Sequence, residues 1–152
     1  MNFNNTNSIV KDLTFKKKAK SKIMKGVDKL AKAVSSTLGA SGKCVIYEDT
    51  MGRPVITKDG VTVAESVVLM DPVENIGATL IKEAASKTVE EAGDGTTTAT
   101  ILAHSILSGY NEYEGWESLR NIKKGIDYST DKVLEYLEKI KKPADDELIK
   151  HV

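Results

Sequence analysis

The sequence predicts a mainly α protein with a small β ribbon. Three observations lead there. Apolar residues recur at spacings of three and four over four long segments, which is the helical period. Two short runs rich in β-branched and aromatic residues, 44–47 and 55–57, flank a cluster of turn formers. A polar, glycine-flanked turn, Gly93-Asp94-Gly95-Thr96-Thr97-Thr98-Ala99-Thr100, runs directly into an apolar helical pattern at Ile101, Leu102, Ala103, Ile106 and Leu107.

The elements follow in chain order. Residues 1–14 read as a flexible arm with a short strand at Ile9–Leu13. From Phe15, the stripe Ile23, Val27, Leu30, Ala31, Val34 and Leu38 predicts a helix with lysines on its other face, stopping at Gly39. Cys44–Tyr47 and Val55–Thr57 read as strands, joined through Asp49, Gly52 and Pro54. Asp59-Gly60 reads as a hairpin turn, and Val61–Ala64 as the start of a third extended or transitional piece continuing toward Leu69. Asp71-Pro72 opens a long helix with the stripe Ile76, Leu80, Ile81, Ala84, Ala85 and Val89, ending at Gly93. The next helix runs to about Leu107 and is broken at Gly109, Asn111 and Gly115. His104 within it reads as a packing or capping residue, and Tyr110, Tyr113 and Trp116 as local packing. A last helix, about 117–142, carries Leu119, Ile122, Ile126, Val133, Leu137 and Ile140, and Pro143 ends it.

Bulk composition excludes several classes. The chain has 152 residues, 40% hydrophobic and 29% charged, enough for one domain with a core. Lys plus Arg and Asp plus Glu are 22 each, so no global field points to nucleic acid. The basic run from Lys16 to Lys25 reads as a solvated helix face. A single cysteine, Cys44, rules out an internal disulfide framework and fits a reducing, cytoplasmic setting. No apolar run reaches membrane-spanning length, and Met1–Ser8 has no apolar secretory core.

The turn at 93–100 carries the chemistry. A helix start leaves backbone N–H groups without intrahelical partners and bears partial positive charge, which suits phosphate. Gly93 and Gly95 let backbone approach a ligand. Thr96, Thr97 and Thr98 add hydroxyl donors. Asp94 would repel a polyanion unless a cation lies between them, so it reads as a Mg²⁺ ligand. An ordinary N-cap explains one such residue, but three successive threonines are poor helix formers. Gly39-Ala40-Ser41-Gly42-Lys43 superficially suggests a phosphate loop. Its glycines are two residues apart, however, and Cys44 follows the lysine, so the P-loop pattern fails. An unrelated small NTPase built on Lys43 therefore has little support.

Thr37-Leu38-Gly39, Ile56-Thr57-Lys58-Asp59-Gly60-Val61 and Ala92–Thr100, in this order and spacing, resemble the N-terminal half of the equatorial, nucleotide-binding domain of a group I chaperonin of the GroEL class. Lys25-Gly26-Val27, Glu74–Ala78 and Lys124–Asp127 extend the likeness from about Phe15 to Leu137. The resemblance implies a multihelical, incomplete equatorial-type domain over residues 15–141, with 142–152 starting the intermediate domain. It implies an ATP-hydrolysing folding chaperone with ATP, Mg²⁺ and K⁺ as cofactors. Thr37, Leu38, Gly39, Ala40, Lys58, Asp94, Gly95, Thr96, Thr97 and Thr98 would line the nucleotide. Asp94 would ligate Mg²⁺, while the backbone oxygen of Lys58, together with Thr37 and Thr97, would help hold K⁺. Asp59 would sit near the γ-phosphate and assist hydrolysis.

The implied partners are other subunits of a ring, unfolded clients and a co-chaperonin, the last two through regions beyond these residues. Nucleic acid and membrane are not among them. The alternative expectation is a non-catalytic module that binds or co-assembles with intact rings. Ala40 and Ser41 replace the family's usual proline and lysine, the 109–121 connection is short and aromatic, and several residues precede the match. These departures fit a divergent member of the sort expected of a virus or a reduced genome. The missing domains would leave apolar stripes without partners on several faces.

Overall fold

A computed structural model describes residues 15–143. The expected arm at 1–14, its strand and residues 144–152 lie outside the described residues. The chain divides into a unit ending at Tyr113 and a second unit beginning at Glu114.

The first unit contains α1 (Lys16–Ser35), β1 (Val45–Glu48), β2 (Pro54–Thr57), α2 (Gly60–Ser66), α3 (Pro72–Ala92) and α4 (Thr96–Glu112). The mainly α class with one two-stranded antiparallel ribbon is as expected. Val27, Leu30 and Val34 of α1 form the core with Val63 and Ala64 of α2 and Ala78 and Ile81 of α3. Ala103 and Leu107 of α4 close over its edge.

Two glycines set the α1–α3 crossing. A Cβ on Gly26 would lie 1.8 Å from the Glu74 carbonyl oxygen, and one on Gly77 would lie 2.1 Å from that of Ile23. The two backbones therefore touch with no side chain between them. This contact turns the small-residue face of α3 inward: Gly77, Ala78 and Ala85 are buried with Val73 and Ile81. The expected α3 stripe is correct at Ile81 and Ala85 and wrong at Ile76 and Leu80, which stay more than half exposed. Ion pairs Lys22–Asp71 and Lys29–Glu74, each 2.5 Å, flank the crossing. Asp71 also caps α3, its Oδ1 accepting from Val73 N at 2.9 Å and Glu74 N at 3.2 Å.

The ribbon pairs Val45 with Thr57, Ile46 with Ile56, Tyr47 with Val55 and Glu48 with Pro54. Asp49 builds its turn by accepting from Met51 N and Arg53 N, and Gly52 takes the positive φ of 74° the turn requires.

Three further expectations are corrected. The segment after Asp59 is helix α2, not a strand. Asp59 caps it, and Gly60, Val63 and Ala64 fall on one buried helical face. Helix α1 ends at Ser35, short of Gly39, because Thr37 N and Leu38 N bond back to Val34 O and Ser35 O in a tightened last turn. Leu38 thus leaves the stripe and is half exposed. Helix α4 passes through Gly109 to Glu112, where a Cβ would meet open space. His104 is the expected packing residue: its Nε2 lies 2.9 Å from Asp28 Oδ1, tying α4 to α1.

The second unit holds α5 (Leu119–Ile140), begun by Ser118, whose Oγ accepts from Asn121 N. The helix is shorter by a turn than expected and has no buried residue. Its apolar stripe is present but uncovered: Leu119, Val133, Leu137 and Ile140 are exposed.

Candidate functional site

Gly60 is where the three sequence motifs meet. A Cβ there would lie 2.0 Å from Thr97 Oγ1 and 3.4 Å from Thr37 Oγ1. The end of α1, the start of α2 and the start of α4 therefore converge, although 60 follows 37 and precedes 97 by long stretches of chain. A Cβ here would force the Thr97 side chain or the α2–α4 contact to shift.

Around this point each motif is locally fixed. Thr37 Oγ1 donates to Val34 O at 2.7 Å. The loop beyond it closes through Gly42 N to Gly39 O, 2.9 Å, and Lys43 N to Ser36 O, 2.7 Å. A Cβ on Gly42 would strike Thr37 O at 2.3 Å. Gly39 adopts a φ of 72°. Leu38, Gly39 and Ala40 are exposed on the loop's outer side, and Lys58 is exposed after β2.

Asp59 spends both carboxylate oxygens on its own helix. Oδ1 accepts from Val61 N at 3.2 Å, while Oδ2 accepts from Thr62 N at 2.9 Å and from Thr62 Oγ1 at 2.5 Å. The Thr62 hydroxyl and then the Thr62 amide hold its pKa below the ordinary aspartate range against an opposing effect of burial, with the Val61 amide adding to them. Asp59 is thus a stable anion, a poor store for a proton and a good orienting acceptor.

At the α4 start, Gly93 and Gly95 have φ of 78° and 101°, and no side chain caps the helix. Beside it Asp94 is an exposed carboxylate whose Oδ1 accepts from Gly95 N at 2.6 Å. The three threonines differ. Thr98 is exposed, Thr97 packs on Gly60, and Thr96 is only 5% exposed with its hydroxyl unpartnered. Thr100, fully buried, has a second unpartnered hydroxyl.

Sequence reasoning missed Gly60 and Lys82. Gly60 was hidden in a dipeptide that also spells a hairpin turn. The signal available was an aspartate followed by Val63 and Ala64 at helical spacing. Lys82 lines a cavity of about 270 Å³ with Val61, Ala64, Glu65, Ser86 and Thr96. That cavity lies at the α2–α3–α4 junction and includes neither Lys58, Asp59 nor Asp94.

A family model described as the TCP-1/cpn60 chaperonin family matches residues 30–152. The chain belongs to the TCP-1/cpn60 chaperonin family. Among solved chaperonins, the chain is similar to gp146 from the bacteriophage EL 2 (Pseudomonas aeruginosa), crystallised in two forms in the presence of ATP-BeFx. Both superpose with 36% identity. One covers 71% of this chain at a TM-score of 0.63, the other 72% at 0.64. In each case the match takes in 20% of the gp146 chain, so this chaperonin chain spans about a fifth of that length. The fold agrees with the equatorial-type domain expected from the motifs.

Proposed function

We propose that this chain carries the phosphate- and Mg²⁺-binding half of a chaperonin ATP site, and serves ATP-driven protein folding as part of a cytoplasmic ring. The observation that carries the reading is the meeting of Thr37, Gly60 and Thr97. The presence of ATP-BeFx in the gp146 crystals supports it.

In this reading Gly95, Thr96, Thr97 and Thr98 surround the phosphates at the α4 start, and Leu38, Gly39 and Ala40 flank the nucleotide. Asp94 would hold Mg²⁺, and the backbone oxygen of Lys58, with Thr37 and Thr97, would hold K⁺. Among the described residues no three His, Cys, Asp or Glu side chains cluster to hold a metal alone. The single exposed carboxylate of Asp94 fits Mg²⁺, which is commonly bound through one or two carboxylates plus substrate phosphates. The metals would offset charge developing in phosphoryl transfer to water. Asp59, anionic and fixed by Thr62, would sit near the γ-phosphate and assist hydrolysis. Clients, a co-chaperonin and neighbouring subunits would engage through the rest of a full-length subunit.

Titration of a fluorescent ATP analogue tests the reading. Weak, Mg²⁺-dependent binding that disappears in Asp94→Ala is expected, with almost no turnover by the chain alone. Binding indifferent to both Mg²⁺ and Asp94, or steady hydrolysis at ordinary chaperonin rates, would overturn it. The uncovered stripe of α5 favours a second reading, a non-catalytic module that co-assembles with intact rings. Co-purification with full-length subunits supports that reading, and a clean, well-folded monomer counts against it.

A further inference from the structure

We propose that Lys82 of α3 is a positioning residue for the site, holding α2 so that Asp59 and Gly60 meet Thr97 and Thr37; its consequence for nucleotide rests on the ATP-site reading above. Helix α2 has seven residues, Gly60–Ser66, too few to persist without outside support. Three things hold it. Asp59 caps the start, Val63 and Ala64 pack into the core, and Lys82 binds the end. Lys82 Nζ donates to Glu65 O at 3.2 Å and Val67 O at 2.5 Å, two of the carbonyls that a helix end leaves without partners. Among the described residues, no other side chain outside α2 hydrogen-bonds its C-terminal carbonyls.

The placement matters because the two ends of α2 do different work. Its N-terminus presents the Asp59 carboxylate and the Gly60 contact. Its C-terminus has extended backbone at Val67, with φ −71° and ψ 113°, and so lacks a helical continuation to anchor it. Lys82 supplies the anchor from α3, the helix that leads through Gly93 into Asp94. One ammonium thus links the segment bearing Asp59 to the helix leading to Asp94. Burial pulls the Lys82 pKa down, and the Glu65 carboxylate partly restores it. The ammonium is therefore partly withdrawn from water and depends on those two carbonyls.

Two variants of the chain and one control decide the matter. Lys82→Met keeps the aliphatic stem and removes the donors; Lys82→Arg keeps donors. Val27→Ala loosens the core that α1, α2 and α3 share while leaving the Lys82 hydrogen bonds intact. By amide hydrogen exchange, Lys82→Met is expected to speed exchange at Val61, Thr62 and Val63 by about tenfold relative to wild type, with α1 and α3 unchanged. Lys82→Arg is expected to restore protection. Val27→Ala is expected to raise exchange broadly. Acceleration spread evenly over α1, α2 and α3 in Lys82→Met, or none in α2, would overturn the inference. In the same samples, Mg²⁺–ATP-analogue affinity is expected to fall about tenfold in Lys82→Met and to recover in Lys82→Arg. Loosened α2 with unaltered affinity would overturn the link to nucleotide. Failure of wild type to bind any analogue would instead overturn the ATP-site reading, while hydrogen exchange still decides the role of Lys82 in α2.

Discussion

At Gly60, one missing methyl decides whether two helices meet. Adding it in Gly60→Ala puts a carbon 2.0 Å from Thr97 Oγ1, so either the Thr97 side chain or the α2–α4 contact must shift. Overpacking of this kind costs about 1–3 kcal/mol. Urea denaturation of Gly60→Ala should show that loss, and Gly60→Ala/Thr97→Ala should recover most of it, because the second change deletes the obstructing hydroxyl. The pair is therefore expected to be strongly non-additive. Asp59 and Asp71 make a second residue-scale prediction. Both have pKa values held below the ordinary aspartate range, Asp59 chiefly by the Thr62 hydroxyl and Asp71 chiefly by Lys22. A carboxylate depressed in the folded state contributes stability that is complete above its unfolded pKa and lost as pH falls through the folded value. Stability should thus be flat at neutral pH and fall below about pH 4. The fall should be shallower in Asp71→Ala when thermal unfolding is followed across pH 2–5.

Helices were legible where the apolar period was strong and where a stop residue agreed with it. Asp71-Pro72 and Gly93 gave both ends of α3, and Pro143 follows the end of α5. Legibility failed where small residues did the packing. In α3 the sequence offers Ile76 and Leu80 as core, yet hydrophobic weight loses to backbone approach at Gly77, and no periodicity rule reads a glycine as an inward-facing position. It failed again at α2, where β-branched Val61, Thr62 and Val63 favour a strand and a tertiary contact overrides them. The site followed the same division. The α4 start could be read from residues 93–100 alone, whereas Gly60 and Lys82 matter only through partners far along the chain. Gly26→Ala, which would place a carbon 1.8 Å from a main-chain oxygen, has no side chain to push aside. It should destabilise by about 3 kcal/mol or more, lowering the thermal midpoint. Gly109→Ala, with open space around it, should stabilise α4 by about 0.5–1 kcal/mol.

On the scale of the whole molecule, exposed apolar surface is the dominant property. Val68, Met70 and Trp116 are more than three-quarters exposed, and every α5 stripe residue from Val133 onward is exposed. Surface of this kind promotes association. The chain should therefore self-associate at micromolar concentration, and the double change Val133→Lys/Leu137→Lys should shift it toward monomer in analytical ultracentrifugation without altering analogue binding. No helix among the described residues is long and apolar enough to cross a membrane.

The bare contact at Gly26 and Gly77 has one more effect. Side chains between packed helices act as bearings, because rotamers can change to absorb small slips. Here main chain rests on main chain, so α1 and α3 cannot glide past each other. Any shift of the 36–43 loop must therefore be taken up outside the α1–α3 crossing, which serves as a fixed frame.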